Sequence, residues 1–213
     1  LQSVSRVAHE HNLMFIVDAM SSFGAVDVDV PALGIDFLIS SANKCIQGVP
    51  GFSFIIARRA TLEATEGNAR TISLDLQAQW RTMEKDDGKW RFTSPTHVVA
   101  AFAQALKELQ AEGGVTARGK RYGQCNKKLR EGMRALGFEP FVSEAFQGPI
   151  ITTFLYPQGQ TLDFHHMHGW LKEHGYVIYP GKLTDRDTFR IGNIGEIYDS
   201  DVEKILALFA QYT

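Results

Sequence analysis

The chain has 213 residues, of which 44% are hydrophobic and 22% are charged, a composition typical of globular proteins. Its formal net charge is −2 and its Lys and Arg residues are scattered, which argues against a nucleic-acid-binding surface. The longest apolar runs, such as 13–17 and 52–57, are too short to cross a bilayer. Two cysteines offer no disulfide framework, and the first residues lack the pattern of a signal sequence. These features favour a cytoplasmic protein without a membrane span.

The first residue is Leu1 rather than Met, and the chain starts inside an amphipathic pattern. Leu1, Val4 and Val7 recur at helical spacing, and an apolar run follows almost at once. A domain rarely begins with a helix that leads directly into a buried strand. We therefore expect the sequence to be part of a longer protein.

The first third of the sequence alternates between helical and strand patterns. After the opening helix, residues 13–17 form a continuous apolar run that predicts a parallel strand buried on both faces. Two further short strands are predicted at 37–39 and 52–56. This alternation predicts an α/β domain with a mostly parallel sheet. Residues 58–92 are polar and poorly patterned, with a turn predicted at 86–88.

The remainder predicts two long helices and an α+β segment. Ser94 and Pro95 favour the start of a helix, and Gly113 and Gly114 favour its end. We predict one domain over 1–95, and connecting helices with a smaller domain over 96–213. The further predicted elements are a helix at 115–136, a strand at 150–156, a helix at 162–174, strands at 176–179 and 188–191, and a final helix opened by a capping box at 200–203.

Two ionisable residues follow predicted strands directly, where open α/β sheets place their active sites. Asp18 ends the first strand and Lys44 follows the second. Alone, such a lysine is most often solvated, and such an aspartate is often a cap or turn residue. Together they fit pyridoxal-phosphate chemistry, in which an amine binds an aldehyde and a carboxylate keeps the pyridine nitrogen protonated. A dry pocket around the lysine would favour its neutral amine.

Two sequence motifs make this interpretation specific. Residues 15–24, FIVDAMSSFG, resemble the aspartate motif of the class V aminotransferases, and residues 40–51, SSANKCIQGVPG, resemble their lysine motif. The resemblance extends over essentially the whole chain. It is greatest to those members of the class that transfer the amino group of 2-aminoethylphosphonate to pyruvate.

The resemblance implies a fold-type I architecture, with a large cofactor domain and a small C-terminal domain. It further implies pyridoxal 5'-phosphate as the cofactor, a Schiff base at Lys44 and an ion pair of Asp18 with the pyridine nitrogen. The expected products are phosphonoacetaldehyde and L-alanine. The expected assembly is a homodimer with a shared active site.

Two more positions match the family. Residues 91–97, RFTSPTH, resemble the segment whose threonine reaches the cofactor phosphate of the neighbouring subunit, which implies that role for Thr93. Residues 189–195, FRIGNIG, resemble the segment that binds the substrate carboxylate, which implies that role for Arg190. A guanidinium fits a carboxylate through two parallel hydrogen bonds. The simpler alternatives are that Thr93 caps the following helix and that Arg190 forms a structural ion pair.

Other candidate residues carry less weight. His165, His166 and His168 lack the spacing and the partners of a metal site, so no metal is expected. Cys45 has no His and acid partner that would make it a nucleophile. Ser21 could contact the cofactor, although a turn-capping serine is the simpler interpretation.

The family's upstream half has no counterpart in this chain. In the family that half supplies the phosphate-binding loop at a helix N-terminus and the aromatic residue that stacks on the pyridine ring. We therefore expect the chain alone to hold an incomplete site, an open sheet edge and little activity. Two alternatives remain: another class V activity, of the alanine–glyoxylate or serine–pyruvate type, or a truncated non-catalytic fragment.

Overall fold

A computed structural model describes residues 1–157, 159, 162–181, 183 and 185–212. The chain divides into two units, each described by itself below. The first comprises Leu1–Phe23 and Asp27–Glu108, and the second comprises Gly24–Val26 and Leu109–Thr213. The predicted boundary followed residue 95, and the assignment of a cofactor domain and a small domain stays a prediction. No described helix is both long enough and apolar enough to cross a membrane.

The first unit is built on a three-stranded sheet of β1 (Ile16–Asp18), β2 (Phe37–Ser41) and β3 (Ser53–Ala57), paired in that order. Strands β1 and β2 are parallel, with Asp18 opposite Ile39, whereas β3 runs antiparallel to β2. The α/β class is confirmed. The antiparallel β3 follows from its connection, a short loop instead of a crossover helix. The elements are α1 (Gln2–Glu10), β1 (Ile16–Asp18), β2 (Phe37–Ser41), β3 (Ser53–Ala57), α2 (Arg59–Glu63), α3 (Leu76–Lys85) and α4 (Thr96–Ala111).

The two faces of this sheet differ in how they are covered. On one face, Val17 and Leu38 pack with Ala8 of α1, and Leu38 is fully buried. On the other face, Ile16, which is 54% exposed, and Ile39 line a groove of about 340 Å³. The prediction that the first strand is buried on both faces is therefore wrong for this chain. Alternation of side chains along β1 directs Ile16 to the open face.

Helices α2 and α3 were missed by sequence reasoning, which found residues 58–92 poorly patterned. The start of α3 nevertheless has a clear signal, because Asp75 is an N-cap whose Oδ1 accepts from the amide nitrogen of Ala78 at 2.9 Å. The predicted turn at 86–88 is present, with Asp87 and Gly88 at positive φ.

The second unit contains an antiparallel sheet of β4 (Ile151–Leu155), β5 (Tyr179–Pro180) and β6 (Thr188–Gly192), in the order β4-β6-β5. Its mixed aliphatic and aromatic core includes a group of phenylalanines, in which the ring centroids of Phe189 and Phe138 lie 5.5 Å apart and those of Phe189 and Phe154 lie 5.7 Å apart. The elements are α5 (Gly114–Ala135), a 3-10 turn (Glu144–Phe146), β4 (Ile151–Leu155), α6 (Phe164–Glu173), β5 (Tyr179–Pro180), β6 (Thr188–Gly192) and α7 (Asp199–Tyr212).

Two predicted boundaries in this unit need correction. The strand predicted at 176–179 shrinks to Tyr179–Pro180. The final helix begins at Asp199, so Ser200 is not its cap. Instead Asp201 Oδ2 accepts from the amide nitrogen of Tyr198 at 3.0 Å, which satisfies a donor just before the helix.

A nearly buried carboxylate connects the starts of β1, β2 and α2. Asp36 Oδ2 accepts from the amide nitrogen of Phe15 at 2.9 Å, Oδ1 accepts from Thr61 Oγ1 at 2.8 Å, and Arg58 lies at 3.5 Å. Burial of Asp36 opposes its ionisation, but these three partners outweigh that effect and lower its pKa. The stabilisation is therefore present above the ordinary carboxyl pKa and is lost as pH falls through the lowered folded pKa.

We expect Asp36→Asn to weaken the start of β1, because the amide keeps one acceptor oxygen and presents a donor to groups that already donate. The expected loss is about 1–3 kcal/mol. Hydrogen exchange at the Phe15 amide measures it locally. Asp87→Asn, at an exposed turn, is the matched control. Unchanged protection of the Phe15 amide in the Asp36 variant would contradict this role. So would an undiminished protection factor of that amide in the unsubstituted protein at acid pH, after correction for the slower intrinsic exchange there.

Candidate cofactor site

The loops after β1 and β2 meet at one edge of the first sheet. Since the two strands are parallel, Asp18 at the end of β1 and Lys44 just beyond β2 lie at the same edge. Three contacts join the loops: Ala19 N donates to Ile39 O at 2.8 Å, Ser40 Oγ donates to Ala19 O at 3.3 Å, and Cys45 Sγ donates to Ser21 O at 3.4 Å.

The loop that carries Lys44 is a tight turn with little room. The amide nitrogen of Gln47 donates to Lys44 O at 2.8 Å, and that of Gly48 donates to Ala42 O at 2.8 Å. A Cβ at position 48 would lie 2.6 Å from Ala42 O, so only glycine allows this approach. Gln47 has a φ of 65°, an uncommon conformation that often marks functional loops.

The polar groups of this edge fit the chemistry of a pyridoxal cofactor. Asp18 Oδ1 accepts from the amide nitrogen of Met20 at 2.9 Å, and no described residue donates to Oδ2. Lys44 Nζ likewise makes no hydrogen bond or ion pair with a described residue. Ser41 Oγ, three residues before the lysine, is buried without a hydrogen-bond partner. An amine, a carboxylate and an unsatisfied hydroxyl thus belong to residues at the same edge of the two parallel strands.

Both site residues are exposed, which differs from the dry pocket that sequence reasoning placed around Lys44. The described residues at this edge therefore do not enclose the candidate residues Asp18 and Lys44.

Thr93 lies in the first unit, in the segment between α3 and α4, and its side chain is exposed. This segment is held in place by Arg91, whose Nη1 donates to Ile72 O at 2.8 Å and lies 3.9 Å from Asp75. Helix α4 begins at Thr96, one position later than predicted. The arrangement leaves the Thr93 hydroxyl accessible.

Arg190 lies in the second unit, on the central strand β6, opposite Thr153 of β4 and Tyr179 of β5. Its Nε donates to Pro180 O at 3.0 Å, and its guanidinium carbon lies 5.9 Å from the centre of the Tyr179 ring. It is not in an ion pair with any described residue, so the alternative of a structural ion pair receives no support.

The residues that sequence reasoning discounted have structural partners. His166 Nδ1 lies 2.9 Å from Tyr212 Oη, and no metal-binding group of His, Cys, Asp or Glu occurs among the described residues. Cys45 is buried against the Ser21 carbonyl. Sequence reasoning missed the orphaned hydroxyl of Ser41 and the left-handed conformation of Gln47, because neither has a local sequence signal.

Comparison with solved structures defines the fold. Ureidoglycine–glyoxylate aminotransferase from Bacillus subtilis superposes with a TM-score of 0.85 at 21% identity, over 99% of this chain and 55% of that one. The architecture is therefore that of the fold-type I aminotransferases.

Comparison with sequences defines the family. The family model described as Aminotransferase class-V matches residues 1–184, and the chain belongs to this family. It is 57% identical over 207 residues to the 2-aminoethylphosphonate–pyruvate transaminase of Klebsiella pneumoniae, covering 97% of this chain and 56% of that protein. It is 53% identical over 212 residues to a bifunctional phosphonoacetaldehyde hydrolase/aminoethylphosphonate transaminase of Clostridioides difficile, covering 100% of this chain and 33% of that protein. The chain thus spans little more than half the length of the single-function relative.

Proposed function

We propose that the full-length protein transfers the amino group of 2-aminoethylphosphonate to pyruvate, giving phosphonoacetaldehyde and L-alanine. The observation that carries this proposal is the meeting of Asp18 and Lys44 at one edge of a parallel strand pair. The names of the two relatives support the aminophosphonate donor. The bifunctional relative also combines the transaminase with a hydrolase of phosphonoacetaldehyde, which supports that product. The solved structure, at 21% identity, supports the fold alone.

Four residues have proposed roles. Bound pyridoxal phosphate supplies an aldehyde that takes up the substrate amine and a ring that withdraws electrons from the substrate carbon. Lys44 supplies the amine that holds the cofactor, and once displaced its Nζ moves the proton to and from the substrate carbon. Asp18 keeps the pyridine nitrogen protonated. Thr93 donates to the cofactor phosphate of the partner subunit, and Arg190 binds the carboxylate of pyruvate or alanine.

The remaining part of the relatives' length is proposed to complete the site. The groove lined by Ile16 and Ile39 is an apolar surface that isolated domains seldom leave open. We propose that the additional chain present in the relatives buries this surface and encloses Lys44. This 213-residue chain alone is therefore proposed to bind the cofactor weakly and to lack activity.

We expect the full-length protein to form alanine from pyruvate faster with 2-aminoethylphosphonate than with serine as donor. Lys44→Ala should abolish both alanine formation and the absorbance band at the visible edge that pyridoxal phosphate gives with a lysine amine. Lys85→Ala, at the exposed end of α3, is the control and should change neither. Equal rates with serine would favour the other class V activities, and an intact band in Lys44→Ala would reject the lysine assignment. No band in any version would favour the non-catalytic alternative.

Arg190→Ala should raise the KM for pyruvate about ten- to hundredfold, since loss of a charge-assisted hydrogen-bond pair costs about 1.5–3 kcal/mol. Steady-state rates at varied pyruvate measure this. Arg186→Ala, an exposed arginine that precedes the same strand, is the matched control. A normal pyruvate KM in the Arg190 variant, with an altered KM in the Arg186 variant, would transfer the carboxylate role to Arg186.

Subunit mixing tests the shared site of the proposed homodimer. If Thr93 serves the partner's cofactor, a mixed dimer of Lys44→Ala and Thr93→Val subunits contains one site with both residues intact. We expect cofactor affinity and activity to return, to about half the value of the unsubstituted dimer in the isolated mixed dimer and to about a quarter in a random equimolar mixture, where about half of the dimers are mixed. The unmixed variants serve as controls. Thr93 would act within its own subunit if mixing restores neither property.

A further inference from the structure

The segment that follows β6, residues 193–197, is held by two neighbouring residues of α5, and we call it the β6 strap. Arg121 Nη1 donates to the carbonyl oxygens of Gly195 at 2.8 Å and Ile197 at 3.0 Å. The amide nitrogen of Gly195 donates to Tyr122 Oη at 3.1 Å. The middle and the end of the strap are therefore fixed to the helix.

Arg121 is in turn oriented by a carboxylate. Its Nε donates to Glu112 Oε1 at 2.8 Å and its Nη2 donates to Oε2 at 3.2 Å, while Arg118 Nε donates to Oε2 at 2.8 Å. The rings of Tyr122 and Tyr198 lie 4.8 and 4.9 Å from the guanidinium carbon of Arg121. The hydrogen bond from Arg121 is the main cause that lowers the pKa of Glu112, so the carboxylate stays ionised at neutral pH.

The start of the strap is fixed by a buried amide. Asn193, which is 2% exposed, donates from Nδ2 to the main-chain oxygens of Tyr122 at 3.0 Å and Pro149 at 2.9 Å. Its Oδ1 accepts from Asn126 Nδ2 at 3.1 Å, and its amide nitrogen donates to Ile150 O at 2.8 Å. Each of these bonds connects the end of β6 either to α5 or to the residues that precede β4.

The strap directly follows the strand that carries Arg190. Across the sheet, the Arg190 guanidinium is held by the hydrogen bond that its Nε donates to Pro180 O on β5. Along the strand direction, its position is set by the register of β6 with β4, in which Arg190 lies opposite Thr153, and by the strap that anchors the end of β6. A bidentate guanidinium–carboxylate pair tolerates little error, and a misplacement of about 1 Å can cost about 100-fold in rate.

Stability alone does not account for a buried charged cluster at this place. The side chains of Arg118 and Arg121 are 1% and 13% exposed. Apolar replacement of a buried ion pair is often neutral or stabilising, because desolvation offsets the attraction. What the Glu112 carboxylate achieves is geometric, since it fixes the plane of the Arg121 guanidinium and directs Nη1 at the strap carbonyls.

We propose that Arg121, oriented by Glu112, is a positioning residue that anchors the end of β6 and so fixes where Arg190 meets the substrate carboxylate. The proposal rests on the proposed function of Arg190. It adds a determinant of pyruvate binding that touches neither the substrate nor the cofactor.

The test uses Arg121→Met and Arg121→Lys in the full-length protein. Arg121→Met should raise the KM for pyruvate about tenfold with kcat within about twofold, because an interaction common to bound substrate and transition state is weakened. Arg121→Lys, which keeps the charge without the planar fork, should give an intermediate value. The control is Arg134→Met in the same helix, where Arg134 pairs with Glu139 and Glu144 away from the strap.

Hydrogen exchange at the amides of Asn193 and Gly195 gives a second measurement that needs no activity. Faster exchange in both Arg121 variants, with the pyruvate KM effect and an unchanged cofactor band, supports the proposal. Faster exchange with an unaltered pyruvate KM means that Arg121 has a structural role only, and it overturns the proposal. Unchanged exchange also overturns it.

If Arg190→Ala itself leaves the pyruvate KM normal, the function proposed for Arg190 fails, and exchange alone then decides whether Arg121 anchors β6. Should Arg121→Met not fold, Arg121→Lys decides by the same criteria.

Discussion

The parallel pairing of β1 and β2 is the constraint on which the candidate site depends. Only this pairing, with Asp18 opposite Ile39, brings the carboxyl ends of the two strands to one edge. A shift of the β1–β2 register by one residue would turn Asp18 to the opposite face of the sheet. The short strand β1 is therefore fixed at both ends, by the Asp36 carboxylate at its start and by the bond from Ala19 N to Ile39 O at its finish.

Both units hold their candidate residues next to backbone that has little freedom. In the first unit, the close approach at Gly48 and the left-handed Gln47 shape the turn after Lys44. In the second, the β6 strap is bonded to α5 just beyond Arg190. A candidate residue is placed precisely only when its backbone is held in this way. A flexible loop would have to give up conformational entropy each time it adopted the required geometry.

The sequence by itself determined the family, the cofactor chemistry expected of it and most of the regular elements. Motifs of ten and twelve residues identified Asp18 and Lys44. Each motif contains the candidate side chain together with the backbone around it in one continuous segment. Helix ends were predicted well where glycine stops them, as at Gly113 and Gly137, since positive φ is a local property of glycine. The α/β class and the helices α1, α5 and α6 followed from periodicity in the same way.

Only the tertiary structure decided the features that depend on partners distant in sequence. The open face beside Ile16 depends on what covers the sheet, and it leaves no local pattern. The cap of the last helix lies at Tyr198 because Asp201 reaches back to its amide nitrogen, although Ser200 offers an equally good local signal. The strap bonds of Arg121 join residues more than seventy positions apart. Such contacts arise from packing, so no single stretch of sequence could have predicted them.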